Sequence, residues 1–313
     1  MRALITGVTG FVGRHLEQNL IENGYEVWGG TRKCSTRISS GEKIVELDFS
    51  QPRKIVDVLE ELKPNAIFHL SGQSSVKYSW DHIQETYQSN VMDAIGLFEA
   101  IKSCSFKNNV KIISSGSSEE YGLVRNLPIL EEEVANPMNP YGHSKLAVSQ
   151  VITYFSKFHG LNIIHTRAFN HLGPGQTLGF VTSDFAKQIV DIEHGNAEPT
   201  LYVGDLSSKR DFTDVRDIVN AYRLLYEKGE SGHIYNICSG ASISIQTILN
   251  TLVSYSSRSI EIKVDEKKLR PNDVKEYYGS NNKLVHTTGW EPIIPLETSL
   301  KDVYLYWKSI LYK

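Results

Sequence analysis

The stretch that decides the fold lies near the beginning of the chain and reads Ala3-Leu4-Ile5-Thr6-Gly7-Val8-Thr9-Gly10-Phe11-Val12-Gly13. Its apolar first part predicts a strand, and the segment after the glycines predicts a helix. Glycines let the backbone approach a pyrophosphate closely, and the helix N-terminus supplies N–H groups and a favourable dipole. Because the motif stands between a strand and a helix, it predicts a dinucleotide site. The residues of that site are Gly7, Thr9, Gly10, Phe11, Val12 and Gly13.

Short β-branched runs alternate with helical patterns along the chain, and this order predicts a parallel sheet with helices on both faces. The predicted strands are Ala3–Thr6, Glu26–Gly29, Ile44–Asp48, Ala66–Leu70, Lys111–Ser115, Asn162–Arg167 and Ile234–Cys238. The predicted helices are Phe11–Asn23, Ile55–Lys63, Tyr87–Ser103, Tyr141–His159, Ser183–His194, Asp214–Glu227 and Leu300–Tyr312. The fold class is therefore α/β, a doubly wound Rossmann sheet with a smaller C-terminal α/β lobe. We expect a dinucleotide-binding domain over 1–168, to which 214–240 returns, and a substrate-binding lobe over 169–313.

Composition excludes several classes of function. The 313 residues contain 33 Lys and Arg against 36 Asp and Glu, a net charge of −3, so no general electrostatic attraction favours nucleic acid or an anionic membrane. The three cysteines, Cys34, Cys104 and Cys238, form neither a zinc pattern nor a disulfide framework. The charge-free stretch 233–257 is rich in Ser, Thr, Asn and Gln and does not read as a membrane span. We expect no metal, and a cytoplasmic protein without a signal peptide.

The end of the second predicted strand reads Trp28-Gly29-Gly30-Thr31-Arg32-Lys33 and holds no carboxylate. An acidic residue there would bind a ribose 2′-hydroxyl, whereas a cation suits a 2′-phosphate. The stretch therefore favours NADP(H), with NAD(H) as the alternative if Arg32 and Lys33 are only solvated loop charges. Asp48, which ends the third predicted strand, is a candidate for the adenine edge.

A candidate reacting centre combines Ser117, at the end of an apolar strand, with Tyr141 and Lys145 on a predicted helix. Residues four apart share a helix face, and a cation beside a phenol lowers the cost of its phenolate form. We predict that Tyr141 exchanges a proton with a substrate oxygen, that Lys145 holds the nicotinamide ribose, and that Ser117 polarises a carbonyl. Glu119 remains open between a base for elimination, a ligand for a sugar hydroxyl and a solvated turn residue.

With these motifs, the whole chain resembles the extended short-chain dehydrogenase/reductase superfamily. Four further blocks are similar to GDP-6-deoxy-4-keto-mannose reductases, the enzymes that make GDP-rhamnose for cell-surface polysaccharides. The blocks are Thr166–Gln176, Gly179–Lys187, Lys209–Asp217 and Leu269–Val274.

The resemblance implies the remaining site residues. It implies Ser117, Tyr141 and Lys145 as the catalytic set, with Glu119 as a further catalytic candidate that is compatible with both reduction and dehydration. Beyond the glycine turn, the implied cofactor contacts are Thr31, Arg32, Asp48, Phe49, Leu70, Ser71, Gln73, Asn90, Ser115, Tyr141, Lys145 and Phe169. The implied substrate contacts are Ser74, Ser75, Ser117, Ser118 and Glu119 near the hexose, Asn170, Arg210 and Arg270 on the diphosphate, and Phe180, Val181, Lys187 and Asp273 around the base and ribose.

The activity implied by the resemblance is NADPH-dependent reduction of a GDP-linked 4-keto-6-deoxy-hexose in a homodimer. GDP-mannose 4,6-dehydratases are the main alternative, because they share the Glu, Tyr and Lys positions. Another sugar-nucleotide epimerase or reductase, or a non-catalytic dinucleotide-binding module, are further alternatives. Rhamnose and 6-deoxy-talose products both remain open, as does a heptose in place of the hexose.

Overall fold

The computed structural model describes residues 1–32, 43–266 and 274–312. The strands of this part of the chain are β1 (Arg2–Thr6), β2 (Glu26–Thr31), β3 (Ile44–Glu46), β4 (Ala66–His69), β5 (Lys111–Ser117), β6 (Asn162–Ala168), β7 (Asn170–Leu172), β8 (Thr200–Val203), β9 (Lys209–Arg210), β10 (Phe212–Asp214), β11 (Ile234–Ile237), β12 (Ile243–Ser244), β13 (Glu261–Val264) and β14 (Glu276–Tyr277). The helices are α1 (Phe11–Glu22), α2 (Pro52–Leu62), α3 (Val76–Asp81), α4 (Ile83–Tyr87), α5 (Asp93–Ser103), α6 (Pro140–His159), α7 (Val181–Glu193), α8 (Val215–Lys228), α9 (Ile245–Val253), α10 (Asn282–Thr288) and α11 (Leu296–Leu311).

The main sheet has seven parallel strands in the order β11-β6-β5-β4-β1-β2-β3, which confirms the doubly wound fold and all seven predicted strands. Consecutive residues of a strand point to opposite faces. In β1, Leu4 therefore packs in the core under α2, α5 and α6, whereas Ile5 packs in the core under α1, α8 and α10. Both faces are apolar because helices cover both.

The C-terminal part of the chain adds small sheets and its own apolar core. These sheets pair β10 with β7, β12 with β9 and β14, and β13 with β8. The core packs α7, α9 and α11 together, with Phe185, Leu249 and Trp307 among its buried side chains. The predicted C-terminal helix does cap this core, but it begins at Leu296 rather than Leu300.

The predicted helix Tyr87–Ser103 is not continuous. A π-helical turn over Gln88–Met92 separates α4 from α5. Such turns often occur at functional sites because they redirect one side chain. Here the turn carries Asn90, whose buried amide donates to the Gln73 carbonyl at 3.1 Å and to Ser144 Oγ at 2.9 Å. The irregular turn therefore connects the loop after β4 to helix α6.

Candidate active site

The glycine turn between β1 and α1 forms as the sequence predicts. Gly7 has φ +76°, and a Cβ there would lie 2.9 Å from the backbone of Ser71. A Cβ on Gly13 would lie 2.2 Å from the Gly7 carbonyl oxygen, so the helix packs directly on the turn. Gly10 precedes α1 and no side chain caps that helix. Its first N–H groups are thus available to an anion.

A cleft of about 1120 Å³ opens beside this turn, which is ample for a ligand of dinucleotide size. The predicted cofactor residues on its wall are Gly7, Thr9, Gly10, Thr31, Arg32, Phe49, Leu70, Ser71 and Gln73. The sequence did not indicate the other wall residues, which are Thr6, Gly30, Leu47, Gly72, Tyr78, Gln84, Glu85, Gln88 and Ser89. Several of these come from α3, α4 and the π-helical turn, where no motif marks them. The glycine turn, the uncapped start of α1 and this cleft together suit the binding of a dinucleotide.

Other predicted cofactor residues lie behind or beside the cleft wall. Phe11, Val12 and Gly13 form the first turn of α1, and Phe11 stacks on His171. The Asp48 carboxylate accepts hydrogen bonds from Ser50 and Gln51, and these bonds stabilise the turn between β3 and α2.

Phe169, which is predicted to support the cofactor pocket, is only 2% exposed. Its ring packs with Tyr121, Cys238 and Tyr277 in a small apolar cluster.

Tertiary structure supplies a carboxylate at the end of β2, where the sequence shows none. Asp93 at the start of α5 accepts a hydrogen bond from Arg32 Nη2 at 2.7 Å. Burial raises the pKa of Asp93, although the bond and charge of Arg32 oppose that shift. The Arg32 side chain remains 65% exposed, so its guanidinium can still bind a phosphate. Lys33 lies outside the described residues.

The residues of the candidate reacting centre come together where β5 ends and α6 begins. Asn139 caps α6 by accepting the Gly142 N–H at 2.8 Å, and Pro140 occupies the first helical position. This start places Tyr141 and Lys145 on the buried face, with 8% and 9% exposure. Lys145 Nζ lies 5.9 Å from the centre of the Tyr141 ring.

The electrostatics of the centre depend mainly on burial. Burial raises the pKa of Tyr141, and a hydrogen bond with the Ser117 side chain offsets only part of that rise. The phenol is therefore protonated at neutral pH and is ready to donate. Burial lowers the pKa of Lys145 to about 8, while its Nζ donates to the carbonyl of Ser115 at 2.8 Å.

Glu119 lies beside this centre. Its carboxylate accepts a hydrogen bond from Asn139 Nδ2 at 2.7 Å, and its N–H donates to Ser117 Oγ at 3.2 Å. Its charge also raises the pKa of Tyr141, although burial contributes more to that rise. Glu119 is therefore not a free solvated turn residue, and its position suits either proton transfer or binding of a sugar hydroxyl.

The C-terminal part of the chain is connected directly to this centre. Strand β9 pairs with β14 so that Arg210 lies opposite Tyr277. The Tyr277 hydroxyl donates to the carbonyl of Ser118 at 2.6 Å, next to Ser117. Arg210 itself donates to the carbonyl of Val274 at 2.7 Å. The strand that carries Arg210 is thus joined, through Tyr277, to Ser118, the residue that follows Ser117.

The remaining predicted substrate residues differ in their hydrogen bonds and in their exposure. Asn170 donates to the Asp211 carbonyl, and Lys187 pairs with Asp191. Phe180 is the residue that precedes α7, and Val181 is the first residue of that helix. Ser74 is exposed, whereas Ser75 caps α3 by accepting the Tyr78 N–H at 3.1 Å. Arg270 and Asp273 lie outside the described residues.

Neither a metal-ligand cluster nor a membrane-spanning helix occurs among the described residues. No group of three or more His, Cys, Asp or Glu side chains in them is clustered as metal ligands would be. No helix in this part of the chain combines the length and apolarity needed to cross a membrane.

Comparison with known proteins gives similarities that extend over nearly the whole chain. The model of the family described as GDP-mannose 4,6 dehydratase matches residues 4–303. A GDP-6-deoxy-D-mannose reductase from Pseudomonas aeruginosa is 34% identical over 310 residues, covering 98% of this chain and 97% of that protein. A GDP-mannose 4,6 dehydratase from Cricetulus griseus is 28% identical, covering 96% of this chain and 90% of that protein. The solved structure of RMD from Pseudomonas aeruginosa complexed with NADPH has a TM-score of 0.86 and 32% identity, with 99% of each chain covered.

Proposed function

Because this chain belongs to the extended short-chain dehydrogenase/reductase family of sugar-nucleotide-modifying enzymes, we propose that it reduces a GDP-linked 4-keto-6-deoxy-hexose with NADPH. The expected reaction converts GDP-4-keto-6-deoxy-D-mannose to GDP-D-rhamnose or a related deoxysugar, for cell-surface polysaccharides. The observation that carries this proposal is the attachment of Arg210 to the reacting centre through Tyr277 and Ser118. A guanidinium there suits a diphosphate, and a chain of net charge −3 needs such cations placed locally.

In this proposal the chain's residues position the ketone and deliver one proton. Ser117 donates a hydrogen bond to the carbonyl oxygen and polarises it. Tyr141 gives its proton to that oxygen as it becomes an alkoxide, and the charge of Lys145 stabilises the resulting phenolate. NADPH would supply the hydride to the carbonyl carbon. The glycine turn, Thr31 and Arg32 would hold the dinucleotide within the proposed domain 1–168.

The preference for NADPH rests on Arg32. Its exposed guanidinium suits a 2′-phosphate, and the similar structure from Pseudomonas aeruginosa was solved with NADPH. Asp93 reduces the net positive charge there, so NADH stays an alternative donor. The sugar nucleotide would lie mainly on 169–313.

A dehydratase is the second candidate, because Glu119 is held beside Tyr141 and the matching family model carries that description. The two activities differ in redox balance. A reductase consumes NADPH with GDP-4-keto-6-deoxy-mannose, whereas a dehydratase makes a 4-keto product from GDP-mannose and recycles its cofactor.

We expect the absorbance of NADPH to fall with the 4-keto substrate, and NMR of the product to show a new C4 alcohol. Formation of a 4-keto sugar from GDP-mannose alone would instead establish the dehydratase.

We also propose that the chain forms a homodimer through α4, α5 and α6. Helix α4 exposes Ile83 and Tyr87, and helix α6 exposes Tyr154 and Phe158, of which Phe158 is 65% exposed. Apolar side chains grouped on neighbouring helices are typical of a self-complementary two-fold interface. Sedimentation velocity should give twice the mass of the 35.3 kDa chain. A monomer at micromolar concentration would contradict this interface, and Phe158→Glu should weaken a real one.

A further inference from the structure

Glu120 lies directly beneath the reacting serine, in the turn that follows β5. Its side chain is fully buried. One carboxylate oxygen accepts the backbone N–H of Ser117 at 2.9 Å and lies 2.9 Å from His165 Nε2. The other oxygen accepts Arg167 Nε–H at 2.8 Å. Both partners stand on β6, the strand next to β5, so the carboxylate joins the reacting segment to the sheet.

The carboxylate has little room to move. A Cβ on Gly116 would lie 2.4 Å from Glu120 Oε1 and 2.4 Å from His165 Nε2. The Arg167 guanidinium lies 4.4 Å from the centre of the Tyr121 ring, which fixes it from the other side. The carboxylate and the Arg167 guanidinium are therefore both held by close packing.

The carboxylate is ionised. Burial by itself raises the pKa of Glu120, but the charges and hydrogen bonds of His165, Arg167 and the Ser117 N–H outweigh burial and lower that pKa overall. A buried ion pair often stabilises a fold no better than apolar side chains of similar volume. A stabilising role alone is thus a weak reason for a charge at this position.

We propose that Glu120 is a positioning residue for the reduction, because through the Ser117 N–H it fixes the backbone that carries the Ser117 hydroxyl beside Tyr141. This inference rests on the proposed function. The Ser117 hydroxyl oxygen is also held in this turn, since it accepts a hydrogen bond from the Glu119 N–H. The negative charge of Glu120 also favours the protonated form of Lys145, although burial of Lys145 has the larger effect on its pKa.

The test compares Glu120→Gln with Ser117→Ala and with the double variant. Glu120→Gln keeps the shape of the side chain but leaves a single acceptor oxygen for Ser117, His165 and Arg167. Its NH₂ group must then face at least one of these partners, and the Ser117 N–H no longer has a charged acceptor. We expect kcat to fall about 100-fold, the usual cost of a misplaced reacting group, with KM for the sugar nucleotide and Kd for NADPH unchanged. When Ser117→Ala is already present, adding Glu120→Gln should lower kcat by no more than about twofold.

Asp217→Asn is the matched control. Asp217 is also a buried carboxylate, and it accepts the N–H groups of Ile293 and Ile294 at 3.2 and 3.0 Å. This control should lower Tm and leave kcat unchanged. If Glu120→Gln does not fold, Glu120→Asp replaces it, because a side chain shorter by about 1.5 Å keeps the charge near Arg167 but loses the reach to Ser117. The inference would be overturned if the Glu120 variant kept the wild-type kcat. It would also be overturned if the Glu120 substitution lowered kcat by the same factor in the wild-type protein and in Ser117→Ala.

A readout without turnover separates this inference from the proposed function. If the wild-type protein does not oxidise NADPH with the 4-keto substrate, the proposed function fails but Glu120 can still be examined. Hydrogen exchange of the peptide around Ser117 should be faster in Glu120→Ala than in wild type, and unchanged in Asp217→Ala. Equal exchange in Glu120→Ala and wild type would show that Glu120 does not hold this backbone.

Discussion

Tyr141→Phe is expected to lower kcat for ketone reduction by about 10³-fold, while binding of NADPH survives. The change removes only a hydroxyl, and the ring keeps its packing at the start of α6, where Tyr141 is 8% exposed. General acid catalysis by a placed side chain contributes on the order of 10²–10⁴-fold. Because burial raises the pKa of this phenol, it carries its proton throughout the neutral range and its loss cannot be replaced by buffer in a buried site. Stopped-flow oxidation of NADPH measures the effect.

Tyr255→Phe is the control for this variant. Its hydroxyl donates to the Glu297 carbonyl at 3.1 Å, at the edge of the C-terminal apolar core and away from the candidate active site. It should keep wild-type kcat. Retained turnover in Tyr141→Phe would remove the phenol from the mechanism. Loss of NADPH binding in Tyr141→Phe would instead assign the residue to the cofactor site.

Gly13→Ala is expected to weaken NADPH binding by roughly 10- to 100-fold. The new Cβ would lie 2.2 Å from the Gly7 carbonyl oxygen and 2.8 Å from Val8 Cα, much closer than any real contact. Both neighbours are backbone atoms, so the turn itself must open. Overpacking of this kind costs about 1–3 kcal/mol, and each 1.4 kcal/mol is a tenfold change in affinity. Fluorescence titration of NADPH provides Kd.

Gly24→Ala is the matched control because it strains the backbone without a collision. Gly24 has φ +79°, and a Cβ added there would meet no atom within 4 Å. We expect a loss of about 1–2 kcal/mol in the free energy of unfolding, with Kd for NADPH unchanged. Equal weakening of NADPH binding in both variants would mean that general destabilisation, and not the glycine turn, controls affinity.

The strands and the glycine turn were predictable because their signals are local. A strand needs only a run of β-branched and apolar residues, and a dinucleotide turn needs glycines at fixed spacing between two elements. Tyr141 and Lys145 were predictable for the same reason, since helix geometry alone places residues four apart on one face. The error in the helix before β5 has a different cause. Asn90 turns towards Gln73 and Ser144, and these partners become neighbours only when the chain folds.

The site was less predictable than the fold. The sequence directed attention to Glu119, whereas the fully buried carboxylate under Ser117 belongs to Glu120. Periodicity could not distinguish the two, because neighbouring residues in a short turn follow no regular pattern. The wall of the cleft formed by Tyr78, Gln84 and Gln88 also carries no motif.

By itself the sequence determined the doubly wound sheet, the glycine turn and the Tyr141–Lys145 pair, since each depends on residues within a few positions of one another. Tertiary structure alone decided the pairs that surround them. Arg32 meets Asp93 across 61 residues, and Glu120 meets His165 across 45. The order of strands in the sheet creates those contacts. The electrostatics of the site depend on burial and on such distant partners, so only the folded chain sets them.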